Sequence, residues 1–257
     1  MNNEKVFISG SISIKKLPDI AKETLDKIIY NNFEILVGDA AGIDTLIQEY
    51  CNRKNYDNIT VCYIGDEPRN LVDPDFKTKK VNIQEQDKTE IEKLTRKDIK
   101  MTEYCTYSFV IWDEKSSGSY ENIMRALNAK KFVKVCLTKS QKYCNSKEDN
   151  FKNNIENIYT ENTGIKKEKF IELLRQSNPD NPNLKNTKKF NEFLVKNKIV
   201  KKDENDKYIP ADEYKKYFIE KRSKGKFVSY NFTNKLYATI EELIKKDHPI
   251  QNSFDNF

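Results

Sequence analysis

Two stretches decide the fold: VFISGS at residues 6–11 and EILVGDAAGID at residues 34–44. Each is an apolar run of strand length that ends in a turn of small residues and opens onto a helical pattern. Glycines at 10, 38 and 42 let backbone N–H groups approach a phosphate or ribose with no Cβ in the way, and the helix N-terminus that follows adds partial positive charge. Two such turns in succession predict a pocket for an anionic, hydroxyl-bearing ligand at the edge of a parallel sheet. For one turn alone, close packing of strand on helix explains the small residues equally well.

Working outward, residues 6–9, 34–37, 59–64, 109–112 and 133–137 read as strands. Residues 17–31, 43–53 and 120–129 read as amphipathic helices, the first with Ile20, Leu25, Ile28 and Ile29 on its apolar face. Strands alternating with helices of ten to fifteen residues imply βαβ units. The expected class is α/β, a Rossmann-like parallel sheet with helices on both faces. Residues 67–88 are polar, hold Pro68 and Pro74, and form a gap longer than a simple connection.

After residue 139 the pattern changes. Residues 1–139 hold 22 Lys+Arg against 22 Asp+Glu, whereas the remainder holds 24 against 18, so the second part carries the whole excess of +6. This asymmetry predicts an N-terminal domain over 1–139, a polar linker over 140–160 and a basic α+β module over 161–257 with an acidic partner. In the module, residues 166–176 and 185–198 read as helices, 208–209 as extended, 211–222 as a helix, 227–232 as an aromatic strand and 233–246 as a last helix. Helices plus a short hairpin suit a small, mainly helical, winged-helix-like domain. Lys185, Lys188, Lys189, Lys196 and Lys198 crowd one helix whose Phe190, Phe193 and Leu194 serve its core, and such a helix can lie on nucleic-acid phosphates. A solvated lysine face packed on its own domain is the competing reading.

Composition narrows the classes. With 33% charged and 37% hydrophobic residues the chain is globular rather than disordered. No apolar run approaches the ~20 residues of a membrane span and the first strand starts without a signal-like apolar run, so a cytoplasmic location with no membrane partner is expected. Five cysteines (Cys51, Cys62, Cys105, Cys136, Cys144) fit neither a disulfide framework nor a CxxC metal pair, and they read as reduced and mostly buried. His248, the one histidine, stands beside Pro249 in a polar tail and suits the surface. A His-rich metal site is excluded, and neither metal nor cofactor is called for.

Four segments should meet at the carboxyl ends of the strands: Ser9 to Ser13, Gly38 to Asp44, Arg69 with Asn70, and Ser116 to Asn122. Gly10, Ser11, Ser13, Gly42, Gly118 and Ser119 supply close backbone approach and hydroxyls. Asp39 and Asp44 can accept ribose hydroxyls, although an N-cap for Asp39 and first-turn dipole chemistry for Asp44 explain them equally well. Arg69 suits a phosphate or carboxylate. Glu121, first, and Asp113, second, are the candidate catalytic carboxylates, able to stabilise an oxocarbenium ion or orient water. A first-turn surface carboxylate is the competing reading of Glu121.

VFISGSISI, VGDAAGIDTLIQEY, KDIKMTEYCTYSFVIWDEKSSGSYENI and KKFVKVCL together resemble the SLOG superfamily, the Rossmann-like group that includes DNA-processing protein A and the LOG phosphoribohydrolases. The resemblance spans about residues 5–139. It implies a nucleotide site lined by Gly10, Ser11, Gly38, Asp39, Gly42, Asp44, Gly118 and Ser119, with Lys97 and Asp98 near it. Two departures matter. Ile12 stands where the related turn commonly has arginine, and KSSGSYENI replaces the PGGxGTxxE of the LOG hydrolases, with Asn122 where their catalytic Glu would fall.

The sequence therefore predicts binding of a nucleotide or NAD-derived nucleotide, with the C-terminal module as a readout or as a site for a nucleic-acid or protein partner. Homo-oligomer formation is compatible with this. The alternatives are an N-glycoside hydrolase acting on nucleotides and a DNA-binding protein resembling DNA-processing protein A.

Overall fold

A computed structural model describes residues 4–223 and 226–247. The chain divides into two compact units, Met1–Glu156 and Asn157–Phe257.

The first unit is built on a seven-stranded sheet. Its strands are β1 (Lys5–Gly10), β2 (Glu34–Val37), β3 (Ile59–Tyr63), β4 (Lys77–Lys80), β5 (Tyr107–Trp112), β6 (Phe132–Leu137) and β7 (Lys142–Asn145), in the order β4-β3-β2-β1-β5-β6-β7. All neighbours are parallel except β7, which runs antiparallel to β6. The connections carry α1 (Asp19–Tyr30), α2 (Ile43–Arg53), α3 (Glu90–Tyr104) and α4 (Ser117–Asn128).

The near-continuous apolar runs of the central strands follow from burial on both faces. Along β1, Val6 and Ile8 join the core that includes Leu25 of α1 and Ile47 of α2, while Phe7 between them joins Leu36, Cys62 and Met101 of α3 on the other face. Side chains alternate along a strand, so Ser9 shares the Phe7 face and lies at the strand's carboxyl end. The α/β class and the mostly parallel sheet with flanking helices agree with the expectation from sequence.

Two elements fall where none was expected. The polar gap contains β4, whose four residues KTKK are all exposed, so neither its composition nor any alternation marks it as a strand. Helix α3 follows, started by a capping box in which Thr89 accepts from the Glu92 amide while Glu92 accepts from the Thr89 amide. The segment expected as a linker is also structured: it holds β7 and most of α5 (Phe151–Thr163), and the division between units falls within α5.

The second unit contains α6 (Lys167–Ser177), a 3-10 turn Pro182–Leu184, α7 (Thr187–Lys196), the antiparallel pair β8 (Val200–Lys202) and β9 (Tyr208–Pro210), a 3-10 stretch Asp212–Tyr217, the antiparallel pair β10 (Phe218–Ser223) and β11 (Lys226–Phe232), and α8 (Asn234–Asp247). Phe170, Phe190, Phe193, Leu194 and Phe232 are buried together at its centre. The helix expected over 211–222 is instead a 3-10 stretch and a strand. An isolated strand leaves both edges of its backbone unpaired, and β10 supplies the partner along one edge of β11. His248 lies outside the described residues.

Candidate functional site

A cleft of about 440 Å³ opens at the carboxyl ends of the parallel strands in the first unit. The turn after β1, the β2–α2 turn, Arg69, one face of α3 and the first turn of α4 line it.

Its electrostatic centre is Asp39, which is fully buried. Arg69 grips its carboxylate with Nε at 3.1 Å, Nη2 at 2.7 Å and the backbone N–H at 3.1 Å, and Lys97 Nζ donates at 2.6 Å. Burial alone would raise this carboxyl, but the Arg69 hydrogen bonds and the Lys97 ammonium outweigh it and hold the carboxyl at about 2. Asn70 donates to the Asp39 carbonyl at 2.8 Å. Asp39 and Asn70 thus stand behind the cleft, where they fix Arg69 and Lys97, which line it.

The β2–α2 turn brings charge and backbone together. Asp44 Oδ2 accepts from the Ala40 N–H at 3.1 Å. A Cβ at Gly38 would fall 2.3 Å from that oxygen and 3.0 Å from Lys97 Nζ, so only glycine lets the carboxyl and the ammonium close over the strand end. Gly42 turns at φ +80° and lies behind the cleft, backed by the Ile12 backbone. Burial pushes the Asp44 carboxyl up to about 6 against the pull of Lys97. Asp98, next to Lys97 on α3, is also raised by burial, against the pull of Lys97, Arg125 and a hydrogen bond with Asn122. Two carboxyls whose environments favour protonation therefore line the same cleft as two cations.

The third wall is the Ser/Gly turn into α4. Ser116 caps this helix without a side-chain hydrogen bond, so the first-turn amides are left to whatever enters the cleft, and the position of a Gly118 Cβ is open space. Ser11 ties the wall to β1: its hydroxyl lies 3.2 Å from that of Ser119 and accepts from the Asp113 N–H at 3.1 Å. Ser9 is 4% exposed, lines the cleft, and its hydroxyl has no hydrogen-bond partner.

Of the residues singled out from sequence, the cleft gathers Gly10, Ser11, Ser13, Gly38, Asp44, Arg69, Lys97, Asp98, Gly118 and Ser119. The two candidate catalytic carboxylates are not among its lining. Glu121 is exposed on α4. Asp113 is spent on its own loop, accepting from Ser13 Oγ at 2.6 Å and from the backbone N–H groups of Ser116 at 2.7 Å and Lys115 at 3.2 Å. Burial raises its carboxyl, but these bonds prevail and leave it below the usual range. Ser9, Ile12 and Asn122, which belong to the expected segments, also line it, whereas Ile91, Leu94 and Thr95 of α3 were missed from sequence; Ile12, Ile91 and Leu94 form an aliphatic rim.

In the second unit, Lys185, Lys188, Lys189, Lys196 and Lys198 are all exposed. Lys189 pairs with Glu192 at 2.9 Å and Lys196 with Asp247 at 2.9 Å, so the stripe is partly neutralised within its own unit.

No family model and no curated protein matches the chain. Among solved structures it is similar to DNA processing protein A from Helicobacter pylori, a structure described for its single-stranded DNA binding mode, at 17% identity and a TM-score of 0.37. That match covers 52% of this chain and 65% of the other. No helix among the described residues is long and apolar enough to cross a membrane.

Proposed function

We propose that the cleft binds a nucleotide or an NAD-derived nucleotide, with the second unit as a readout or partner-binding domain. The observation that carries this reading is the Ser9 hydroxyl, buried and unpaired on a residue that lines the cleft, in a site that also holds the open first turn of α4. A buried hydroxyl without a partner costs free energy that a ligand's acceptor recovers. The rest of the lining suits such a ligand. Phosphate fits the α4 amides and Arg69, ribose hydroxyls fit Asp44 and Asp98, and a flat base fits the rim where Ile12 is 60% and Ile91 77% exposed. The volume lies within the range of small-molecule sites.

The test is a thermal-shift panel of nucleotides, NAD and cyclic dinucleotides on the full chain, since a ligand that binds only the folded state raises the apparent stability. At least one member should raise Tm, and Gly118→Val should abolish the rise. A flat panel sinks the reading.

A second reading, hydrolysis of a nucleotide N-glycosidic bond, is favoured by Asp44 standing at about 6 inside the cleft. In the protonated form it can donate to the departing base, while Asp98 receives a proton from the attacking water. Release of free base by the wild type, lost in Asp44→Asn with binding retained, would support it. No release across the panel leaves a binder.

A further inference from the structure

A second cleft, of about 430 Å³, lies wholly within the second unit and was assigned no role above. It runs along β11: Phe227 through Phe232 all line it, facing α6, α7 and β9. Phe227 and Val228 are 41% and 51% exposed, large apolar side chains left in solvent at the far end of the strand.

The backbone of β11 explains why this groove is more than an apolar dent. Phe232 exchanges hydrogen bonds with Ile165, its N–H donating at 2.8 Å and its C=O accepting at 2.7 Å, on the edge away from β10. In an antiparallel pair the residues that turn toward one neighbour alternate, so Tyr230, opposite Glu220, presents its N–H and C=O to the same free edge. Among the described residues nothing takes them up. The register then shifts between Lys221 and Arg222, leaving Val228 as an extra residue on β11 and ending the regular edge. Ile165 thus begins a third antiparallel strand that the chain does not continue, because α6 starts at Lys167.

The charge around the groove is mainly positive, four lysines against one acid in its lining. Lys201, Lys202 and Lys215, elsewhere in the unit, are paired with Asp212 or Asp206 at 2.9 Å or less. Lys166, Lys207 and Lys221 line the groove and have no carboxylate partner among the described residues. Lys167, half-buried, donates only to Asn191 Oδ1 at 3.0 Å, and burial lowers its pKa. Two of these lysines sit at the start of α6, where the helix dipole disfavours cations. Glu168 is the single acid in the described lining.

We infer that this groove receives an extended acidic peptide, which adds to the free edge of β11 as a third strand. Its backbone pairs with Tyr230, its carboxylates meet the lysines, and an apolar side chain fills the floor formed by Leu194, Val200 and Phe218. A strand edge recognises another polypeptide backbone, which is why a peptide is favoured over a nucleic acid on the same lysines.

The test pans a displayed library of random 12-residue peptides on the full chain, then measures one enriched peptide by fluorescence anisotropy. Acidic and apolar residues should alternate in the enriched set, and the amide of Tyr230 should exchange more slowly when the peptide is bound. Lys221→Glu, at an exposed site, and Lys167→Glu should each weaken binding at least tenfold, while Lys188→Glu outside the groove should not. No enrichment, or affinity that survives both charge reversals, overturns the proposal. Displacement of the peptide by a 20-residue oligo(dT) or oligo(U) with higher affinity overturns it in favour of a single-stranded nucleic acid.

Discussion

Lys97 and Asp39 form a buried ion pair, Nζ to Oδ1 2.6 Å, in which neither side chain exceeds 3% exposure. The pair joins the middle of α3 to the end of β2 and keeps Arg69 in place through the second carboxylate oxygen. Breaking a buried pair so that a charge is left without a partner typically costs about 3–5 kcal/mol. In Lys97→Met the Asp39 carboxylate keeps its Arg69 hydrogen bonds, so the urea midpoint should fall by less than that full cost, whereas Asp39→Asn, which strips the buried Lys97 ammonium of its carboxylate, should lower it further. Asp39→Asn combined with Lys97→Met should lose less than the two single losses added together, because the double variant buries no lone charge.

The two neighbouring carboxyls should give stability opposite slopes against pH. Asp39 is held at about 2 in the folded chain, below its ordinary 3.8, so it stabilises fully above pH 4 and that contribution, about 2.5 kcal/mol, is lost as pH falls toward 2. Asp44 is raised to about 6, so folding binds a proton between pH 4 and 6 and stability falls by about 3 kcal/mol as pH rises through that window. Asp44→Asn removes the second effect alone. Urea unfolding of the variant and the wild type at pH 4, 5, 6 and 7.5 should diverge progressively in the variant's favour; parallel curves would contradict the assignment.

Gly42 and Gly118 should respond oppositely to alanine. At Gly42 the backbone is at φ +80° and a Cβ would stand 2.6 Å from the Ile12 backbone, so Gly42→Ala should cost at least about 2 kcal/mol. At Gly118 the space is open and the backbone helical, so Gly118→Ala should leave stability unchanged or raise it by up to about 1 kcal/mol. Thermal unfolding of the two variants separates a turn required by the fold from one left open for a ligand.

Ser9→Ala removes a buried hydroxyl that has no partner. Without ligand the variant should be as stable as the wild type or slightly more so. With the nucleotide found by thermal shift, its affinity should fall about tenfold, the scale of one hydrogen bond. A loss of stability in the free protein would mean that the hydroxyl serves the fold.

The sheet was legible because its central strands are buried on both sides and so read as unbroken apolar runs, and the turns after β1 and β2 announced the cleft through their glycines. Helix α3 was not legible. Of its fifteen residues only Lys97, Met101 and Thr102 are buried, and apolar residues such as Ile91, Leu94 and Met101 are sparse among charged ones, although Thr89 and Glu92 carried a capping signal. Missing that helix hid Ile91, Leu94 and Thr95 of its wall, although the resemblance had already placed Lys97 and Asp98 near the site. The misplacement of Glu121 is a matter of helical phase: Gly118, Ser119 and Asn122 share the face toward the cleft, and one residue of offset turns a side chain by 100°, into solvent. Asp113 followed a turn pattern, in which an aspartate accepts from the amides two and three residues on and has little left to offer a substrate.

Strand β4 ends the sheet with four exposed residues, three of them lysines, of which Lys79 lies over the Tyr104 ring and Lys80 reaches Asp66. A foreign strand adding to that margin would have to strip water from a row of ammonium groups and bring its own backbone against their mutual repulsion. The stretch with the weakest strand signal in the chain therefore acts as a guard against fibre growth: it terminates the ladder with charge. A chain with these lysines replaced by threonine or valine would keep its native pairing to β3 and lose its protection in concentrated solution.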